Sequence, residues 1–127
     1  MSYTSLLTQL KNAQAVKKEI VKSPYSKMDE KILDVLLRNN YVEGFEKKGK
    51  GAKKILAVKI KYNDSKGVIT GVKFISKPSR RLYVGYKDIR RVKSGYGLSV
   101  ISTPVGVVSG SEARKSKVGG EILFEIW

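Results

Sequence analysis

Residues 55–62 alternate between apolar and basic positions. Leu56, Val58, Ile60 and Tyr62 fall on one side, and Ala57, Lys59 and Lys61 on the other. A strand sends successive side chains to opposite faces, so this stretch predicts a strand with one buried face and one basic face. Such a strand needs a partner and a cover. The partner is residues 42–47, joined to it through "KKGKGAKK", a flexible basic hairpin loop.

Two helices are expected upstream. Leu6, Leu7, Leu10 and Ala13 recur at helical spacing, with Thr8, Gln9, Lys11 and Asn12 on the other side, in a helix ending near Lys17 or Lys18. A short strand over residues 19–22 follows. "SPYSKMDE" opens a second helix with Ser26 as N-cap and Asp29 three residues on. Its expected buried stripe is Met28, Ile32, Val35 and Leu36, and Asn39-Asn40 ends it.

"NDSKG" at residues 63–67 is turn chemistry and reads as a boundary. Beyond it the chain is richer in strands. These are expected over residues 68–75, 82–85, 98–102 and 121–127, with a short helix over residues 87–94 that turns Ile89 and Val92 inward. Ser109 and Glu112 have capping-box spacing and start a helical turn through Arg114 and Lys117. The expected fold is α+β with two small α/β domains. Residues 1–64 form an α-β-α-β-β unit, and residues 65–127 a strand-rich domain with short helices.

Charge narrows the function. The 127 residues carry 26 Lys and Arg against 11 Asp and Glu, a net charge of +15. Residues 1–64 hold 14 basic and 7 acidic groups (net +7), and residues 65–127 hold 12 and 4 (net +8). An excess spread this evenly points to a folded body that meets a polyanion over much of its surface. The chain has no Cys and no His, which removes thiolate metal sites and the commonest catalytic base. Five of the 11 acids (Asp29, Glu30, Asp34, Asp88 and Glu112) sit in expected helices, and no pair has catalytic spacing. No enzyme, metal or cofactor is expected. No signal pattern or membrane-length apolar run occurs, so a cytoplasmic protein without membrane or small-molecule partners is expected.

Three motifs carry candidate chemistry, each with a plain alternative. "STPVG" at residues 102–106 is a β-turn, with Pro second and Gly fourth in its last four residues. The small hydroxyls of Ser102 and Thr103 beside Gly106 also suit a sugar-phosphate backbone in a shallow RNA minor groove. "VGGE" places Gly119 and Gly120 before Glu121. This is either a turn or bulge, or a place where a ligand approaches backbone closely. Glu121 can accept from base amino groups or a 2′-hydroxyl. "KPSRRLY" combines Lys77, Arg81 and Tyr83. It is either a solvated loop or the mixture of cations and ring common in RNA contacts. Arg114 and Lys117 add candidate phosphate contacts. "KKGKGAKK" lacks the Gly spacing, terminal Ser/Thr and following helix of a phosphate loop.

The ordered series "ITGVKFISKP", "LYVGYKDIRRV", "GYGLSVIST", "GVVSGSEAR" and "VGGEILFEIW" resembles the bacterial or organellar form of small-subunit ribosomal protein eight. The likeness continues more weakly through "LLTQLKNAQ" and "SPYSKMDEKILDVLLRNNYVEGFE". It implies two packed α/β domains and direct, early binding of the 16S ribosomal RNA central domain, which helps organise the platform. It also implies that Ser102, Thr103, Gly106, Gly119, Gly120 and Glu121 recognise an irregular RNA helix. Lys77, Arg81 and Tyr83 match a neighbouring contact region, and Thr8, Lys11 and Asn12 lie on the first helix, which also meets RNA. The implied partners are the fifth and twelfth small-subunit proteins and a similar structure in the protein's own operon messenger. The implied location is the ribosome, cytoplasmic or organellar.

Three departures from the family pattern stand out. Pro104 replaces a Ser of the usual Ser-Thr-Ser and removes a hydroxyl and an N–H. "KPSRR" replaces "KPGLR", so a positive φ would suit Ser79 poorly while Arg80 adds a cation. "MSYTSL" replaces the usual start. These changes leave a non-ribosomal translational repressor on the same fold as the alternative. Generic membrane or DNA binding lacks the helices it would need.

Overall fold

A computed structural model describes residues 2–89 and 97–127. They divide into two compact units, Ser2–Thr70 and Gly71–Trp127, of mixed helix and antiparallel sheet.

In the first unit, α1 (Ser2–Ala15), β1 (Ile20–Pro24), α2 (Lys27–Arg38), β2 (Val42–Lys48) and β3 (Ile55–Ile60) follow in order. The sheet runs β1-β3-β2, antiparallel throughout. Leu6, Leu7 and Leu10 of α1, Ile32, Leu33, Val35 and Leu36 of α2, and Leu56 and Val58 of β3 are fully or nearly fully buried. Ser26 caps α2, its hydroxyl accepting from the Asp29 N–H at 3.5 Å. The buried stripe of α2 differs from the expected one. Asp29 and Leu33 are buried while Met28 is half-buried. Both α1 and α2 stop in Schellman turns. Lys17 and Asn40 take positive φ (57° and 65°), and the next residue donates to the carbonyl five back: Lys18 to Ala13 at 3.1 Å, Tyr41 to Leu36 at 2.8 Å.

Two expectations for β3 change. Ala57, assigned to the basic face, is buried because its cross-strand neighbours are Lys22 and Glu46, whose longer stems flank a small side chain. Tyr62 leaves β3 and opens a short hairpin, β4 (Tyr62–Asn63) with β5 (Lys66–Gly67). Its hydroxyl donates to Lys18 O at 2.6 Å.

The expected strand over residues 68–75 is shorter. Ile69 is held elsewhere: its carbonyl accepts from Gln14 Nε2 at 2.8 Å, and its N–H donates to Gln14 Oε1 at 2.9 Å. A backbone gripped by a side-chain amide cannot also join a ladder. The strand is confined to β6 (Val72–Phe74).

The second unit adds β7 (Tyr83–Val84), a 3-10 turn (Tyr86–Asp88), β8 (Leu98–Thr103), β9 (Gly106–Ser109), α3 (Gly110–Lys115) and β10 (Gly120–Ile126). The sheet order is β6-β10-β8-β9, with β7 also on β10. β9 was not expected; "STPVG" is a hairpin rather than an isolated turn. Ile101, Ile89 and Ala113 form a core that Val84, Val108, Val118 and Ile122 complete. α3 starts as expected, with Ser109 Oγ accepting from the Glu112 N–H at 3.2 Å. The expected helix over residues 87–94 begins in the 3-10 turn, with Ile89 buried; Val92 and the rest of that expectation lie outside the described residues.

Candidate nucleic-acid interface

The register of the second sheet brings several of the candidates onto one face. Directly opposite residues of paired antiparallel strands share a face. Tyr83 of β7 lies opposite Glu121 of β10, Glu121 opposite Ser102 of β8, and Ser102 opposite Val107 of β9. The row Tyr83–Glu121–Ser102–Val107 therefore crosses four strands, while Ile122, Ile101 and Val108 face the core. Tyr83 is 68% exposed and Val105, at the hairpin tip, 71%.

Glu121 is the unusual member of the row. Its side chain is only 11% exposed, and one oxygen lies 3.6 Å from Nη1 of Arg81, which is itself 56% exposed. The other oxygen, Oε2, is buried with no hydrogen-bond partner in the protein. Leaving a buried charged acceptor unpaired costs more than an ordinary hydrogen bond contributes, so a donor from outside has a large effect here. Ser102, half-buried in the same row, puts a hydroxyl next to it.

The loop hydroxyls divide their roles. Thr103 is buried, and its Oγ1 donates to Gly106 O at 2.7 Å while accepting from the Val105 N–H at 3.2 Å. It is the internal brace of the hairpin. Pro104 and Val105 form the two-residue tip, and Gly106 closes it at a φ of 131°. The missing N–H of Pro104 leaves the Thr103 brace intact.

The glycines have an internal reason as well. A Cβ on Gly120 would lie 2.1 Å from Ser102 O, and one on Gly119 2.3 Å from Val84 O. The close backbone approach they permit is that of β10 and its lead-in to β8 and β7, which draws the three strands together around Glu121.

The Lys77 loop is a tight turn. Lys77 and Arg80 exchange backbone hydrogen bonds at 2.9 and 3.0 Å around Pro78 and Ser79. Ser79 is not at positive φ, so it carries no strain from lacking glycine's freedom. Lys77, Arg80 and Arg81 are all exposed. Behind the glycines, Lys117 ends α3 at φ 55° in another Schellman turn; its N–H donates to Arg114 O, and that of Val118 to Ala113 O. Arg114 is half-buried and Lys117 exposed.

Thr8, Lys11 and Asn12 are exposed on α1, in the other unit, and do not belong to the sheet row. The Thr8 hydroxyl donates back to Thr4 O at 2.8 Å. Among the described residues no cluster of acids could hold a metal ion, and no helix is long and apolar enough to cross a membrane.

Comparison with known proteins shows the family of the chain that carries this row. The family model described as ribosomal protein S8 matches residues 3–127. The chain belongs to the ribosomal protein S8 family. The protein named small ribosomal subunit protein uS8 from Rhizorhabdus wittichii is 42% identical over 122 residues, covering 96% of this chain and 93% of that protein. The proteins of the same name from Persephonella marina (42% over 128 residues) and Thermus aquaticus (39% over 130) each cover 96% of this chain and are covered to 94%. S8 proteins are structural ribosomal proteins of the small subunit, not enzymes. The family accounts for the polyanion that the charge of +15 demanded: it is ribosomal RNA.

The sequence did not signal which of its candidates had internal duties. Thr103, Gly119 and Gly120 look the same in one dimension whether they serve a ligand or the sheet. Glu121 stood out only as an acid in a basic stretch, and its buried, unpaired oxygen is a tertiary fact.

Proposed function

We propose that this chain is a primary binder of 16S ribosomal RNA in the small subunit, reaching the central domain and helping assemble the platform. The strand-rich C-terminal half is its RNA-reading domain. The observation that carries the reading is Glu121 Oε2, a buried carboxylate oxygen without a protein donor, in a row with an exposed Tyr83 and the Ser102 hydroxyl. RNA supplies such donors as 2′-hydroxyls and base amino groups, and irregular helices present them in a wide minor groove.

Arg81, 3.6 Å from Glu121, puts positive charge beside this row, and the exposed Lys77 and Lys117 are further cations for phosphates that would hold the RNA in register. Tyr83 offers a ring for stacking and the Pro104–Val105 tip a small protrusion. Thr8, Lys11 and Asn12 on α1 add a contact from the other unit. The fifth and twelfth small-subunit proteins, and a similar structure in the operon messenger, follow as partners from the family resemblance.

The test is binding and chemical footprinting on 16S ribosomal RNA by the native chain and by Glu121→Gln, beside a random duplex of equal length. Losing a charge-assisted hydrogen bond should weaken cognate binding by roughly tenfold or more, remove one compact protected patch and leave the random duplex unaffected. Equal losses on both RNAs would refute the assignment of shape recognition to this row.

A further inference from the structure

The turn between β2 and β3 contributes to no site described so far, yet it holds the densest charge in the chain. Lys47, Lys48, Lys50, Lys53 and Lys54 fall within eight residues. Two have acid partners: Lys48 lies 3.6 Å from Glu46, and Lys47 4.0 Å from Glu30. Among the described residues no carboxylate is within ion-pair distance of Lys50, Lys53 or Lys54. Ammonium groups gathered this way repel one another weakly; the Tyr25 ring offsets this for half-buried Lys54, while Lys50 and Lys53 are exposed with no acid partner among the described residues.

The backbone path of the turn depends on its glycines. Gly49 sits at φ 89° and Gly51 at φ 59°. A Cβ on Gly49 would lie 2.5 Å from Lys53 O, so the chain doubles back where only glycine fits. A 3-10 turn, Gly51–Lys53, follows, with the Lys53 N–H donating to Lys50 O at 3.1 Å.

Tyr25, just past β1, braces the base of the turn. Its N–H donates to Lys54 O at 3.0 Å. Its ring has Lys47 Nζ 5.3 Å and Lys54 Nζ 5.6 Å from the centroid. Its hydroxyl donates to Glu30 Oε1 at 3.1 Å. Partial burial, that hydrogen bond and the neighbouring Glu30 charge hold the Tyr25 phenol above its usual pKa.

We infer that this turn is a second RNA contact, in which Lys50, Lys53 and Lys54 bind backbone phosphates without reading bases. It rests on the ribosomal RNA reading above and adds a surface in the other unit. Phosphate is the chemistry that fits. The ligands are compact point charges, and the one ring nearby is already engaged by ammonium groups rather than free to stack a base. The first sheet would then supply salt-sensitive affinity, and the second sheet's row the shape preference.

The experiment measures affinity against salt concentration for the full chain and for a triple variant, Lys50→Ala with Lys53→Ala and Lys54→Ala. Both are titrated on 16S ribosomal RNA and on a random duplex. Three lost phosphate contacts should lower the slope of log K against log salt by about 2–3, on both RNAs alike, with their affinity ratio preserved within about twofold. The corresponding triple Lys→Arg variant should keep the original slope, and matched thermal melts exclude unfolding. An unchanged slope on the random duplex overturns the inference. So does an unchanged slope accompanied by loss of binding to another small-subunit protein, which would make the turn a protein contact. A native chain that failed to prefer 16S RNA would sink the earlier reading instead, while the random-duplex slope would still decide this one.

Discussion

Replacing Gly120 with alanine adds one carbon atom and separates two explanations of the same glycine. If Gly120 is there so that RNA can approach the backbone, the free protein should tolerate the methyl group. The structure places that carbon 2.1 Å from Ser102 O, 2.9 Å from Ser102 C and 3.0 Å from Thr103 Cα, all main-chain atoms of β8. A flexible side chain could swing aside, but a paired strand cannot. β8 must separate from β10 near the Glu121–Ser102 pair. Overpacking of this kind costs about 1–3 kcal/mol, and loosening one or two ladder hydrogen bonds adds about 1 kcal/mol each. The total is about 2–5 kcal/mol. At roughly 3–5 °C per kcal/mol for a chain of this size, the melting temperature should fall by roughly 6–25 °C. Thermal or urea unfolding of the RNA-free protein is the assay. A melting temperature within a degree or two of the native value, together with lost RNA affinity, would refute the internal-packing argument and return Gly120 to the ligand.

Two further outcomes follow from the geometry of the helices and the Gln14 clamp. Gln14→Ala should destabilise the protein by about 2–4 kcal/mol in urea, because the N–H and carbonyl of buried Ile69 both lose their partner; a change under about 0.5 kcal/mol would show that water replaces the amide. Lys117→Gly should raise stability by about 0.5–1 kcal/mol, since φ 55° suits glycine, while lowering the RNA salt slope by about one; a stability gain with an unchanged slope would remove Lys117 from the interface.

Much of the architecture was legible because it is written in short range. Ser26 and Ser109 cap α2 and α3 as their spacing with Asp29 and Glu112 requires. The apolar stripe of α1 and the alternation of β3 each report a periodicity that one face must satisfy. The misses share a cause. Ala57 is buried by the stems of Lys22 and Glu46, which only strand register brings beside it. Leu33 and Asp29 displaced Met28 because the width of the buried face depends on what packs against it. The strand expected over residues 68–75 was cut short by Gln14, 55 residues away in sequence.

For the candidate interface the division is the same. The chain's residues by themselves determined that the partner is a polyanion, that the chain has no Cys or His to offer, and that hydroxyls, glycines and cations gather near the C-terminus. These follow from charge and side-chain chemistry, which need no coordinates. Tertiary structure alone decided that Thr103 is spent inside its hairpin, that Gly119 and Gly120 make room for neighbouring strands, and that Glu121 keeps one buried oxygen without a partner. The Thr103 brace closes within its own turn, once the hairpin forms; the glycine and Glu121 properties arise from antiparallel register across the strands, and register is set by contacts between residues far apart in the chain.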